Sequence, residues 1–306
     1  DAIGSAVALR HLLVNRQEAE VKIAYRGIIG RAENRALVRY LNHPLQRLTR
    51  DDLAPPVTIA LVDTQPGAGN NPVRELGSVT AVIDHHPRRA ESTAVPFIDV
   101  RPDIGSSSTI VCEYLRSAGL DIPAPIATAL FYGIKSDTMG LGRSASTADV
   151  EAYAFLVPRI DSQALFEIER AQVPAAYFNS LVDTLQASHI YRDVLIVYIG
   201  WMEYPDLAAE IADWLLRLRS IQWVICLGGH KENLHVAVRS RHRRGGAGRL
   251  AETVIGSKGT AGGHGAMAGG QILLNGRDPN MLAHQISLAV IAYFNIDPEE
   301  THRLLA

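Results

Sequence analysis

The densest group of potentially reactive side chains is Asp84, His85 and His86, which directly follow the apolar segment 79–83. A carboxylate beside two imidazoles offers one hard oxygen ligand and two borderline nitrogen ligands at one point of the chain. Mn²⁺, Zn²⁺ and Co²⁺ all accept such donors. Two adjacent histidines at a strand end can also form a simple polar turn, so the tripeptide needs support from the rest of the sequence.

Three further aspartates stand where predicted elements begin or end. Asp63 ends an apolar segment, Asp137 follows an apolar helical stretch, and Asp1 precedes a helical pattern over residues 2–15. A single aspartate at such a place is usually a cap or a turn former. Aspartates at this many element ends, together with the histidine pair, favour a metal site.

The elements that must position these residues alternate between strands and helices. The short Val- and Ile-rich segments 57–63 and 79–84 predict buried strands, and residues 65–72 between them have a loop composition. This alternation predicts an α/β fold with a mostly parallel sheet. Ligands bind beyond the carboxyl ends of such strands, where Asp63 and Asp84 are expected to lie.

The length of 306 residues suggests two domains, because domains average about 150 residues. Residues 151–186 have a helical pattern, and a second alternation follows. We predict a metal-binding domain over residues 1–185, ending in a helical connector, and a smaller α/β domain over residues 186–306. Its predicted elements are strands at 194–199, 221–227, 234–238 and 271–274, helices at 206–219, 250–255 and 279–294, and a hairpin turn at 228–233.

Composition restricts the class of protein. The hydrophobic content of 47% is that of a globular protein. The two cysteines, Cys112 and Cys226, are far apart in apolar segments, which argues against a disulfide framework and favours a reducing cytoplasm. No apolar stretch approaches the roughly 18 residues that a membrane span needs, and no signal peptide is recognisable.

The charge distribution restricts the partners. The formal net charge is −2, whereas proteins that track a long duplex usually carry a basic excess. One local segment, 239–249, is strongly basic. We therefore expect a short anionic ligand and no long duplex nucleic acid. For Arg243, Arg244 and Arg249 a solvated loop is an equally good interpretation.

The order of these motifs resembles the DHH phosphoesterase superfamily. The matching segments of the first half are Asp-Ala-Ile-Gly-Ser-Ala (1–6), Val-Asp-Thr-Gln-Pro (62–66), Ile-Asp-His-His-Pro (83–87) and Ser-Asp-Thr-Met-Gly (136–140). In the second half, residues 238–241, 262–264 and 268–270 look like the associated DHHA1 domain. The nearest resemblance is to NrnA-like bifunctional oligoribonucleases and phosphoadenosine-phosphate phosphatases.

This resemblance implies a dinuclear metal site. Asp63 would bridge two divalent cations, expected to be Mn²⁺ with Mg²⁺ or Co²⁺ as alternatives. Asp1, His85 and Asp137 would complete one of the two sites. The cations, about 3.5–4 Å apart, would polarise the phosphoryl oxygens and generate the attacking hydroxide.

The resemblance also implies the catalytic residues beside the cations. His86 would contact the scissile phosphate or the attacking hydroxide, and Asp84 would orient a neighbouring ligand. The hydroxide would attack phosphorus in line with the leaving oxygen.

The second domain would bind the substrate through its other phosphate and its base. The residues that the resemblance implies are Arg239, Ser240, Arg241, Gly262, Gly263 and His264. The planar guanidinium matches phosphate oxygens bidentately, and glycines let the backbone approach a phosphate closely. A substrate cleft between the domains could then close over the ligand.

The sequence departs from the family pattern in two places. Ala261 replaces a glycine before the histidine, and Gly265 stands where proline is frequent, so we expect altered phosphate-binding geometry in this predicted loop. The family's first motif also begins with a histidine and an aspartate upstream of Asp1. We expect an upstream segment in the natural protein, and at most one well-occupied metal on the 306 residues alone.

The predicted function is hydrolysis of phosphate esters in short oligoribonucleotides, in 3'-phosphoadenosine-5'-phosphate (pAp), or in both. One alternative is a cyclic-dinucleotide or linear-dinucleotide phosphodiesterase, or a pyrophosphatase-like hydrolase. Another is a catalytically degenerate nucleotide-binding protein, which the shortened first motif favours. The expected partners are a short RNA or nucleotide and a second copy in a homodimer, without a membrane.

Overall fold

A computed structural model describes residues 1–54, 56–71, 73, 79–242 and 245–305. The chain divides into two compact units, Asp1–Ala171 and Gln172–Ala306. Arg243 and Arg244, for which a solvated loop is one prediction, lie outside the described residues. Within the described part of the chain, no helix combines the length and the apolar character that crossing a membrane requires.

The first unit alternates short strands with longer helices. Its helices are Ala2–Gln17 (α1), Ala32–Tyr40 (α2), Ser107–Ser117 (α3), Ala124–Asp137 (α4), Thr147–Leu156 (α5) and Ser162–Glu169 (α6). Its strands are Ile23–Tyr25 (β1), Leu45–Arg47 (β2), Ile59–Val62 (β3), Val79–Asp84 (β4) and Phe97–Val100 (β5).

The strands of this unit run parallel. Among the described residues, β1 pairs with β2, and a second sheet has the order β3-β4-β5. The register places Val62 opposite Ile83, so both strands end at the same edge of the sheet. The residues that follow them, Asp63 and Asp84, are therefore neighbours in space, as the sequence pattern predicts.

Helices α1, α3 and α4 pack together beside this sheet. Ile110, Leu130 and Ile134 are fully buried in their shared core with Ile83 of β4. Burying a side chain of this size contributes roughly 1.5–3 kcal/mol. This packing anchors α3 and α4, whose ends carry residues of the candidate site described below.

The second unit contains a larger, mixed sheet. Its helices are Ala175–Ala187 (α7), Leu207–Leu215 (α8), Ala247–Ile255 (α9) and Pro279–Tyr293 (α10). Its strands are His189–Tyr191 (β6), Val194–Trp201 (β7), Trp223–His230 (β8), Asn233–Ser240 (β9), Thr260–His264 (β10), Met267–Leu273 (β11) and His302–Arg303 (β12).

The strand order over the described residues is β10-β11-β9-β8-β7-β6-β12, and only β7 and β8 are parallel neighbours. Successive side chains of a strand point to opposite faces of the sheet. In β8 both sets are buried, each in a different core. Ile225 and Leu227 of β8 join the core that includes α9 and α10. Val224 and Cys226 join the core around α8. The predicted α/β fold class is confirmed in both units.

Two local expectations differ from the structure. The hairpin turn predicted over 228–233 is shorter, because Gly228, Gly229 and His230 pair with the facing strand and leave only Lys231 and Glu232 as the turn. The segment that we expected as a phosphate-binding loop is strand β10. Its glycines pair through their backbones with β11, which apolar periodicity does not reveal.

Candidate metal centre

The site begins at the shared edge of β3 and β4. Asp63 has a left-handed backbone conformation with φ 60°, and its N–H donates to the Ile83 carbonyl over 2.9 Å. Non-glycine residues with positive φ are uncommon, although Asp and Asn tolerate this conformation best. The turn directs the chain away from the sheet immediately after β3, so that Asp63 stays at the strand end beside Asp84.

His85 lies at the centre of a group of carboxylates. Its Nε2 atom is 3.4 Å from Asp137 Oδ2, 3.5 Å from Asp63 Oδ1 and 3.9 Å from Asp1 Oδ2. Its Nδ1 lies 3.3 Å from the Ile104 carbonyl oxygen. A carbonyl oxygen only accepts, so Nδ1 carries a proton, and Nε2 is the ring nitrogen that faces the carboxylates.

The amino end of α3 holds Asp1. The Ser107 N–H donates to Asp1 Oδ2 over 2.6 Å and the Ser108 N–H donates to Oδ1 over 2.8 Å. The Ser108 hydroxyl adds a bond of 2.5 Å to Oδ1. The first N–H groups of a helix have no partner within the helix, and its dipole favours an anion there. The Ser107 hydroxyl also donates to Asp63 Oδ1 over 3.2 Å, which connects two of the predicted ligands.

Helix α4 contributes Asp137 at its last residue and a glycine one turn earlier. A Cβ atom on Gly133 would lie 2.3 Å from the Ser108 hydroxyl and 3.2 Å from Asp1 Oδ1. Only glycine therefore lets α4 approach Asp1 this closely. Sequence reasoning did not identify Ser107, Ser108 or Gly133. The serine run before a helical pattern is the signal that could have indicated the first two.

His86 is held by Asp84 in a separate contact. The Nδ1–H of His86 donates to Asp84 Oδ1 over 2.7 Å, and the main-chain N–H groups of His85 and His86 donate to the same oxygen over 2.9 and 3.3 Å. Asp84 is buried, whereas the His86 side chain is 43% exposed. Asp84 therefore orients the ring, and the His86 side chain reaches solvent where a substrate could contact it.

The pKa directions differ between the clustered groups. Burial and the neighbouring Asp137 carboxylate raise the pKa of Asp63. Burial acts to lower the pKa of His85, but contacts with Asp137 and Asp63 outweigh it and the pKa is raised. The hydrogen bond with Asp84 raises the pKa of His86. Burial acts to raise the pKa of Asp84, yet the His86 contact outweighs it and the pKa is lowered.

The residues present fit a divalent cation. Asp1, Asp63, His85 and Asp137 each place one potential ligand atom so that all four lie within 4.8 Å of one another, and Asp63, His85 and His86 form a second such group. Carboxylate oxygen with imidazole nitrogen suits Mn²⁺ and related ions. A histidine that donates its other N–H to a carbonyl, as His85 does, is typical of metal ligands. The structure thus brings the four predicted ligands together, and their binding of a cation stays a prediction.

The residues predicted to bind substrate in the second unit differ in their surroundings. Arg239 is buried, and its Nε atom donates to Asp213 Oδ1 over 2.5 Å. Ser240 is also buried and accepts from the His242 N–H over 3.0 Å. Arg241 is exposed, with a bond of 2.9 Å from its Nε to the Leu216 carbonyl. Of the two arginines, Arg241 is the one more accessible to a ligand.

Two glycines of β10 differ in the space around their Cα atoms. A Cβ atom on Gly262 would meet nothing within 4 Å, whereas one on Gly263 would lie 2.4 Å from the β11 backbone. Gly262 therefore has room for a ligand to approach its backbone, and Gly263 is required by strand packing. The His264 side chain lies outside the described residues, so its predicted contact with substrate stays a prediction.

Two compact units with an Asp and His cluster at the end of a parallel sheet define an α/β protein with a candidate metal centre. Residues 1–134 match the model of the DHH family, N-terminal domain. Residues 1–134 thus match a DHH-family domain, and the resemblance drawn from the motifs of the first half is confirmed. The nearer resemblance to NrnA-like enzymes is not tested by this match and stays a prediction.

Similar proteins extend the comparison beyond that domain. The uncharacterized protein MJ1633 of Methanocaldococcus jannaschii is 32% identical over 275 residues, which are 90% of this chain and 56% of that protein. The chain therefore spans about half the length of this relative. A probable manganese-dependent inorganic pyrophosphatase of Lactobacillus delbrueckii subsp. bulgaricus is 33% identical over 96 residues, 31% of this chain and 30% of that protein.

A solved structure shares the fold over nearly the whole chain. The exopolyphosphatase-related protein from Bacteroides fragilis superposes with a TM-score of 0.75 at 17% sequence identity. The superposition covers 96% of this chain and 88% of that protein. At this identity the likeness shows the fold alone.

Proposed function

We propose that the chain is a divalent-cation-dependent phosphoesterase that releases mononucleotides from short oligoribonucleotides and phosphate from pAp. The observation that carries this proposal is the convergence of Asp1, Asp63, His85 and Asp137 around one point, beside the Asp84–His86 pair. The DHH-family match supports it, and a relative described as a probable manganese-dependent inorganic pyrophosphatase favours Mn²⁺ as the cation.

The chain's own residues would divide the work as follows. A divalent cation, when bound by Asp1, Asp63, His85 and Asp137, would supply Lewis-acid activation of water and of the phosphoryl group. The α3 N–H groups hold the Asp1 carboxylate in place. His86 is oriented through Nδ1, so its Nε2 is the ring nitrogen open to a phosphate oxygen, to which it would donate when the ring is protonated.

The second unit would supply substrate recognition. We assign this role to Arg241, to the backbone at Gly262 and to the His264 side chain. An exposed guanidinium and an open glycine backbone are both suited to phosphate oxygens. Arg239 contributes mainly by holding β9 to α8 through Asp213, on the strength of its burial and ion pair.

A direct assay tests the proposal. Purified protein, first stripped with a chelator, is incubated with a short end-labelled RNA or with pAp, with and without Mn²⁺. We expect mononucleotide and phosphate release only with the cation, and a Mn²⁺-dependent rise in melting temperature, because a ligand that binds only the folded state stabilises it. Cation binding without any hydrolysis would favour the degenerate nucleotide-binding protein instead.

Hydrolysis of inorganic pyrophosphate is a second candidate. Two observations favour it: the Arg239 guanidinium is already paired with Asp213, and a probable manganese-dependent inorganic pyrophosphatase is 33% identical to this chain over 96 residues. The same assay with pyrophosphate as substrate separates the candidates. If the turnover of pyrophosphate exceeds that of pAp and RNA, the nucleotide assignment is wrong.

A further inference from the structure

Gln65 is a buried amide close to the candidate metal centre. It follows β3 by three residues and is 1% exposed. Its Nε2 donates to Asp84 Oδ2 over 2.7 Å and to the Pro87 carbonyl over 3.1 Å. Its Oε1 accepts from the Arg89 N–H and from the Ser92 hydroxyl, each over 2.9 Å. Both ends of the amide are therefore fully used, and these four partners, like the His86 carbonyl 3.5 Å from Nε2, come from the segment that begins at Asp84.

The orientation of this amide follows from its partners. The Arg89 N–H is only a donor, so it must face Oε1, and the Pro87 carbonyl is only an acceptor, so it must face Nε2. A flipped amide would place Oε1 against two acceptors. Asp84 Oδ2 therefore always meets an N–H donor from Gln65.

Asp84 passes this constraint on to His86. One carboxylate oxygen is held by Gln65 and the other accepts the Nδ1–H of His86. A carboxylate held at both oxygens cannot rotate without breaking a charge-assisted bond, and such bonds contribute about 1.5–3 kcal/mol each. The plane of Asp84, and with it the direction of the His86 ring, depends on the Gln65 amide at Oδ2 together with the main-chain N–H groups of His85 and His86 at Oδ1.

We propose that Gln65 is a positioning residue that fixes the His86 ring for contact with the scissile phosphate through the chain Gln65–Asp84–His86. This inference rests on the proposed phosphoesterase function for its kinetic consequence. Gln65 does not belong to either group of candidate metal ligands. Its substitution should therefore lower kcat and leave the affinity for Mn²⁺ unchanged, which separates it from the ligand residues.

The test compares Gln65→Leu with Ser92→Ala. Leucine has a similar volume but no donor for Asp84, whereas Ser92→Ala removes one partner of Gln65 Oε1 and touches neither Asp84 nor His86. For Gln65→Leu we expect kcat to fall by roughly 10–100-fold, the range typical of residues behind a functional ligand. KM and the Mn²⁺ dissociation constant should stay within about 3-fold of wild type, as should all constants of Ser92→Ala.

A double variant tests whether Gln65 acts through His86. When Gln65→Leu is added to His86→Ala, the further loss of kcat should be less than about 2-fold, because the residue it positions is already absent. A full 10-fold loss in the His86→Ala background, or an unchanged kcat for Gln65→Leu in the otherwise wild-type protein, would overturn the inference. Gln65→Met serves as a second variant if Gln65→Leu does not fold, since it keeps the length of the side chain and likewise offers no donor to Asp84.

The inference can be judged without activity. Two-bond ¹H–¹⁵N spectra of the metal-free protein should show His86 with a proton on Nδ1 in wild type and a shifted Nδ1 resonance in Gln65→Leu, because Gln65 no longer holds the Asp84 carboxylate that accepts this proton. An identical His86 spectrum in both proteins would refute the positioning role. If wild type hydrolyses no phosphate ester, the proposed function fails, while the spectra still decide whether Gln65 positions His86.

Discussion

The two units use charged residues in opposite ways. In the first unit, carboxylates from Asp1, Asp63 and Asp137 surround His85, with separations of 3.4–3.9 Å from its Nε2. In the second unit, Arg239 is also buried, and among the described residues it lies against the carboxylate of Asp213 at 2.5 Å. Both groups belong to motifs that predicted ligand binding, and only one of them still has an excess of charge.

This difference indicates where an external ion or ligand would act. The three carboxylates around His85 repel one another at close range in a partly buried site. A bound cation offsets that repulsion. The Arg239 guanidinium is already paired with the Asp213 carboxylate. A phosphate would have to displace that carboxylate from a buried partner, which is unfavourable. A motif residue whose charge is satisfied inside the protein supports the fold more than the site.

The largest expected effect comes from removing the central carboxylate of the first group. Asp63→Asn should lower hydrolysis by about 10³-fold or more and abolish the Mn²⁺-dependent rise in melting temperature. Asparagine is the substitution of choice because it tolerates the positive φ at this position, unlike alanine. The metal-free variant should melt no lower than wild type, because one repelling charge has been removed.

An exposed aspartate provides the matched control. Asp51→Asn lies in the same unit outside the candidate ligand groups, and it should keep wild-type turnover and Mn²⁺ response. If Asp63→Asn retained near wild-type hydrolysis of a generic phosphodiester, the ligand assignment would be wrong and the contrast between the two units would disappear.

The next effect concerns the balanced pair of the second unit. Arg239→Met keeps most of the side-chain volume and leaves Asp213 without its guanidinium partner. We expect the free energy of unfolding to fall by about 2 kcal/mol, the size of a charge-assisted hydrogen bond in a partly buried pair. Urea denaturation measures this change. Arg219→Met, at an exposed position, should change stability by less than about 0.5 kcal/mol.

The contrary result would be equally informative. An unchanged unfolding free energy, together with a strongly raised KM for pAp, would return Arg239 to the substrate-binding role that its motif predicts. The comparison between a balanced and an unbalanced charge group would then fail as a guide to function.

A smaller effect is expected for the exposed arginine. Arg241→Ala should raise KM for short RNA or pAp roughly 10-fold, with little change in kcat, because uniform binding is lost. A small artificial diester, which lacks the nucleotide, should be hydrolysed as by wild type. His264→Ala should behave in the same way. Equal losses of kcat on both kinds of substrate would instead place these residues in the chemical step.

The sequence predicts one part of this contrast better than the other. Asp63 and Asp84 end apolar segments, and the geometry of a parallel sheet then brings them together without further information. The donors that hold Asp1 are main-chain N–H groups of Ser107 and Ser108, which every residue type possesses. Their role depends on where α3 begins, and the sequence pattern alone does not show it.

The partner of Arg239 was also hidden from the sequence. Asp213 lies on α8, and its approach to β9 depends on how that helix packs over the sheet. A motif identifies a residue type at a spacing, whereas burial and pairing depend on contacts between distant segments. The arginine motif therefore predicted binding for a residue whose charge the fold already uses.

The smallest effect concerns the serine hydroxyls that donate to the proposed metal ligands. Ser107→Ala removes the hydroxyl that donates to Asp63 over 3.2 Å and keeps the main-chain N–H that holds Asp1. A long hydrogen bond to a carboxylate contributes about 0.5–1 kcal/mol, so the Mn²⁺ dissociation constant should rise roughly 3-fold in titration calorimetry. Ser117→Ala, at the exposed end of the same helix, should leave it unchanged. Ser108→Ala should have a larger effect, because its hydroxyl bond to Asp1 is 2.5 Å long. If Ser107→Ala weakened Mn²⁺ binding as severely as Asp63→Asn, the hydroxyl would itself be a ligand, and the first unit's excess of charge would involve a group outside the four proposed ligands.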